Sequence, residues 1–85
     1  MPTISVFYGI RITMNYNDHP PPHFHAEYQD FEVIVTIDSG EVTGRMPRRA
    51  MKLIWEWLDQ NKAELQENWE RARNRKALIP IDPLE

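Results

Sequence analysis

The sequence predicts an α+β fold: a four- to five-stranded, mostly antiparallel sheet followed by one long or two consecutive C-terminal helices on one face. Three observations carry this. Apolar and polar residues alternate through residues 3–46, as half-buried strands require. From residue 48 the apolar spacing changes to threes and fours, the pattern of an amphipathic helix. The 85 residues suffice for one domain, with strands within 3–46, helical residues 48–76 and an extended tail over 77–85.

Taken in order, Ile4, Val6 and Tyr8 alternate, Gly9 interrupts, and Ile10, Ile12, Met14 and Tyr16 alternate again. Gly9 is therefore expected at a turn or bulge between two antiparallel strands. Asn17-Asp18-His19-Pro20-Pro21-Pro22 cannot join a ladder, because three consecutive prolines offer no N–H groups. A stiff, extended loop is expected there. Strand character resumes at His23–Tyr28, turns at Gln29-Asp30, and continues through Phe31–Asp38, where Phe31, Val33, Val35 and Ile37 share a face. Asp38-Ser39-Gly40-Glu41 carries a hairpin signal, and Glu41–Met46 closes the sheet.

Pro47 opens the helical stretch, where its missing N–H costs nothing. Met51, Ile54, Trp55, Leu58, Leu65, Trp69 and Ala72 form the apolar stripe, read as core. Leu53 and Trp57, one turn apart, make a second strip, read as an edge of the core or as a partner surface where exposed. An unbroken helix over 48–76 would run about 43 Å, beside a sheet about 20 Å tall. Asn61 and Glu64 form a plausible N-cap pair, so a kink near 59–61 is expected. A continuous helix would instead need a dimer or partner over its overhang. Arg71, Arg73, Arg75 and Lys76 complement the helix C-terminus, and the tail with Pro80 and Pro83 is expected to lie along the body.

Composition narrows the function. There is no cysteine, which excludes a disulfide framework, thiolate zinc sites and a cysteine nucleophile. No apolar run exceeds three residues, so no membrane span is expected, and with no secretory signal the expected location is cytoplasmic. The net charge of −3 argues against a generic nucleic-acid binder. Nevertheless Arg45, Arg48, Arg49 and Lys52 form a basic run without acids near a helix start, a candidate contact for an anion, a nucleic acid or a partner.

The main candidate site is Asp18-His19-Pro20-Pro21-Pro22-His23-Phe24-His25-Ala26-Glu27, which holds all three histidines of the chain. Strand alternation turns Phe24, Ala26 and Tyr28 toward the helices, and His23, His25 and Glu27 to the opposite face. Arg11, Thr13 and Asn15 from the preceding strand, with Glu32 and Thr36 from the next, are their expected company. Imidazoles at i and i+2 of a strand lie about 6–7 Å apart at their backbones, a span one metal ion can bridge. His19 or Asp18 would add a third ligand and Glu27 a fourth, a set suited to zinc, nickel, copper or ferrous iron. Metal-free acid–base work by His23, His25 or Glu27 is the alternative, and a structural or partner-contacting role is the third reading.

The stretch Gly9-Ile10-x-Ile12-x-Met14, followed by Asp18-His19-x-Pro21-Pro22-His23-Phe24-His25-Ala26-x-Tyr28, resembles the signature of a small bacterial family, domain-of-unknown-function family 4160. Met46-Pro47, Glu56-Trp57, Glu64-Leu65, Asn68-Trp69 and Pro83-Leu84 fit the same pattern. The resemblance implies a two-gene, toxin–antitoxin-like module with a small protein partner and no catalytic roles, while the helix overhang and thin core point to association, with such a partner or as a homo-oligomer. The expectations are thus a partner-binding interaction protein, a metal- or His-dependent hydrolase or nuclease, and a nucleic-acid-binding regulator.

Overall fold

Five strands follow one another in a meander, each antiparallel to the last, in the computed structural model, which describes residues 2–85. They are β1 (Thr3–Phe7), β2 (Ile10–Thr13), β3 (His23–Tyr28), β4 (Phe31–Thr36) and β5 (Val42–Arg45), and α1 (Arg48–Arg73) follows. The fold class predicted from the sequence is therefore the one observed.

Tight turns hold the register. Tyr8 and Gly9 both have positive φ, 50° and 80°, as a two-residue hairpin demands when its twist must match that of the strands. Gly44 answers a different need: a Cβ there would sit 2.6 Å from the Glu32 carbonyl oxygen. Across the sheet, Ile12 pairs with Ala26 and Ala26 with Val33, while Phe24 pairs with Val35. These side chains are buried beneath the helix. On the other face, Thr13 pairs with His25 and His25 with Ile34, and Arg11 pairs with Glu27 and Glu27 with Glu32. The expected alternation holds across these pairs, although His23 also meets α1, whose Trp69 ring centroid lies 5.1 Å away. β2 is shorter than its pattern suggests, since Tyr16 and Asn17 turn away from the ladder.

The helix is one segment with a kink where the sequence placed it: Asn61 has φ −128° and ψ 23°. Its side chain donates to the Trp57 carbonyl behind it (2.9 Å), an engagement different from the expected cap on the turn ahead. The two tryptophans, however, exchange roles. Trp57 is fully buried, packed on Phe7 and Phe24 with ring centroids 5.3 and 5.7 Å away. Trp55 is 42% exposed and donates its indole N–H to the Gly40 carbonyl. At 3.6 residues per turn, Trp57 lies about 60° from Ile54 around the helix and Trp55 about 100°. The core-facing arc runs Ala50, Ile54, Trp57, Leu65, Asn68 and Ala72, so Trp57 is interior and is no partner surface.

The C-terminal tail lies along the body. The chain's own tail covers the second half of α1. Asn68, buried, both donates to the Ile79 carbonyl (2.8 Å) and accepts from the Ile79 N–H (2.9 Å), as a strand neighbour would. The Ile81 N–H donates to Ile4 at the edge of β1, Trp57 donates to the Asp82 carbonyl, and Ile81 and Leu84 are buried. The loop before β3 adds a further tie, Asn17 N–H to the Ala72 carbonyl. Among the described residues, no helix is long and apolar enough to cross a membrane.

Candidate metal centre

The loop between β2 and β3 does not run extended. Asn17 takes a left-handed conformation (φ 60°) that any L residue other than Asn, Asp or Gly adopts only at a cost. The chain reverses there and returns Asp18 over the start of β3. The Asp18 Oδ2 atom lies 3.0 Å from His23 Nε2 and 3.8 Å from His25 Nε2. One ligand atom from each of the three residues falls within 4.8 Å of the others. The rings of His23 and His25, from one face of one strand, meet edge to face with centroids 5.5 Å apart. All three side chains are mostly shielded, the histidines at 13% exposure and Asp18 at 23%.

The hydrogen bonds determine where the ring protons sit. His23 Nδ1 lies 2.9 Å from the Pro21 carbonyl oxygen, which can only accept, so Nδ1 carries a proton. In neutral His23 the lone pair on Nε2 then points at a carboxylate oxygen. Asn15 Nδ2 lies 3.4 Å from Asp18 Oδ2 and 3.4 Å from His25 Nε2. Its two N–H groups serve both, which assigns the amide orientation and makes His25 Nε2 an acceptor. With both rings neutral, two imidazole lone pairs and a carboxylate oxygen converge. Without a cation among them they repel, and either a proton on His23 or a metal ion relieves that repulsion.

Burial alone would raise the Asp18 carboxyl, but the His19 backbone N–H (2.8 Å), the His23 hydrogen bond and charge, and the Asn15 amide outweigh it. The net result is a carboxyl held below the usual aspartate value, ionised and ready to act as a ligand. His23 is braced from behind by Trp69 of α1, whose ring centroid lies 5.1 Å away.

Not every residue of the expected set joins. His19 contributes its backbone N–H, while its side chain is exposed and outside the cluster. Glu27 lies two residues further along β3 and faces Arg11 at 4.0 Å. It is not one of the converging ligands. Arg45, Arg48, Arg49 and Lys52 are all exposed, and none is ion-paired among the described residues. Leu53 and Arg49 line an apolar cavity of about 320 Å³ with Tyr8, Ile10 and Tyr28 at the hairpin end of the sheet, away from the histidines. Sequence reasoning had Thr13 and Asn15 as neighbours of the histidines, but it missed the Pro21 carbonyl and Trp69. Nothing in the spacing signals either. Asn68 was missed as well, although a lone amide within an apolar stripe is itself a signal.

No curated protein and no solved structure matches this chain. A family model does match, over residues 9–70, from the first hairpin through the Asp18-His23-His25 cluster to the residue after Trp69. The chain is thus a member of the family described as domain of unknown function DUF4160.

Proposed function

We propose that this protein binds one divalent transition-metal ion through His23 Nε2, His25 Nε2 and Asp18 Oδ2, and that it acts as a metal-dependent hydrolase. One observation carries the reading: one ligand atom each from Asp18, His23 and His25 lies within 4.8 Å of the others, with His23 Nδ1 engaged by the Pro21 carbonyl so that its Nε2 faces the cluster. Two imidazoles and one carboxylate suit zinc, nickel, copper or ferrous iron. Three protein ligands leave coordination positions open, as catalytic centres do and closed structural ones do not. The chemistry such a centre supplies is hydrolysis by metal-bound water. Calorimetric titration of untagged, metal-free protein with zinc tests it. One ion per chain is expected for the wild type and none for His23→Ala with His25→Ala. Turnover of bis(p-nitrophenyl) phosphate by loaded wild type, and not by that variant, tests the hydrolytic step. A wild-type protein that takes up no zinc refutes the reading.

A second reading has its own support. Docking of a small protein partner, as in a two-gene module, is favoured by the open apolar cavity at Leu53 and Arg49 and by the exposed Tyr8 beside it. On this reading Tyr8→Ser with Leu53→Ser abolishes co-purification with the product of an adjacent gene and leaves zinc binding intact. A wild-type chain that purifies alone under the same conditions counts against it.

A further inference from the structure

Of the three buried side-chain atoms without a hydrogen-bond partner among the described residues, Ser5 Oγ lies on β1, and two lie next to the candidate metal centre: Thr13 Oγ1 on β2 and His25 Nδ1 on β3. They belong to directly paired residues of neighbouring strands and share the outer face of the sheet. An unsatisfied buried donor or acceptor costs about 1–3 kcal/mol, so two orphans on paired residues call for an explanation. The Asn15 amide supplies half of it. Because it donates to His25 Nε2, the neutral ring must carry its proton on Nδ1, inside the sheet face and away from water. The acceptor in register with that proton is the Thr13 hydroxyl, whose own side chain is fully buried.

We infer that Thr13 is a positioning residue for the metal centre: its hydroxyl accepts the Nδ1 proton of His25 and so holds the Nε2 lone pair toward the ion. The inference rests on the metal reading and deepens it. Ligating histidines use their second ring nitrogen in this way, and the bond fixes both tautomer and ring orientation. Pro21 serves His23 through its carbonyl oxygen, and Thr13 would serve His25. An ion held at Nε2 favours the ring orientation that brings Nδ1 toward that hydroxyl.

Thr13→Val keeps the shape and the strand preference and removes only the hydroxyl, whereas Thr13→Ser keeps the hydroxyl. Zinc affinity is expected to fall about tenfold to a hundredfold in Thr13→Val and to return in Thr13→Ser. Long-range proton–nitrogen correlation spectra of the imidazoles supply a readout that packing alone would not move. The His25 proton is expected on Nδ1 in wild type and Thr13→Ser, with Nε2 protonation rising in Thr13→Val. Thr13→Val binding zinc as tightly as wild type overturns the inference and leaves the metal reading standing. Failure of Thr13→Ser to restore affinity overturns it as well, because a packing role would then suffice. A wild-type chain that binds no zinc overturns both.

Discussion

Exchanging single tryptophans separates the interior of this fold from its surface. Trp57→Phe removes an indole that is fully buried against Phe7 and Phe24 and that donates to the Asp82 carbonyl at 2.9 Å. The lost hydrogen bond is worth about 1 kcal/mol. The smaller ring forgoes roughly 40 Å² of buried apolar surface, about another 1 kcal/mol at 25 cal/mol per Å². Trp55→Phe loses one exposed bond to Gly40 and little burial, a cost of about 0.5 kcal/mol. For a chain of this size, 1 kcal/mol moves the melting temperature by about 4–8 °C. Thermal unfolding followed by circular dichroism should therefore show a fall of roughly 8–16 °C for Trp57→Phe and about 2–4 °C for Trp55→Phe. Zinc affinity should be unchanged in both. Equal shifts, or a larger one for Trp55, would refute the assignment of the core-facing arc.

Other expectations follow from the same contacts. Asn68→Ala removes both bonds to Ile79 and should cost about 2 kcal/mol, with faster amide exchange and proteolysis confined to the tail. A tail that stays as protected as in wild type would contradict its docking by Asn68. Asp18 is held below the usual value by the His19 N–H, His23 and Asn15 despite its burial. A carboxyl lowered on folding stabilises the fold above its unfolded value, about pH 4, and loses that contribution as pH falls through the folded value. Urea midpoints of the metal-free protein should therefore drop more steeply below about pH 4 in wild type than in Asp18→Asn. Parallel curves would argue against the Asp18 contacts.

Much of this architecture is legible in the sequence, and the exceptions have physical causes. The period of two over β1–β4 gives strands, faces and the company of the histidines, because a side chain in a strand has only two directions to take. The kink at Asn61 shows because an amide interrupts a long apolar stripe beside a sheet too short for a straight helix. Trp55 and Trp57 mislead for a different reason. Hydrophobicity does not distinguish two tryptophans two residues apart, and only their angle around the helix does. The tail's role over α1 depends on Asn68 meeting Ile79, a pairing eleven residues apart that no periodicity encodes. Within the site, β3 alternation places His23 and His25 on one face. That Asp18 joins them and His19 does not follows from the reversal at Asn17, which the prolines conceal by suggesting an extended loop.

X-ray absorption of the metal-loaded protein reads the ligands of the ion themselves. One ion per chain is expected, bound by two imidazole nitrogens at about 2.0–2.1 Å together with oxygen, with both imidazoles lost in His23→Ala with His25→Ala. A wild-type spectrum without imidazole scattering, or a protein that takes up no metal, would contradict it.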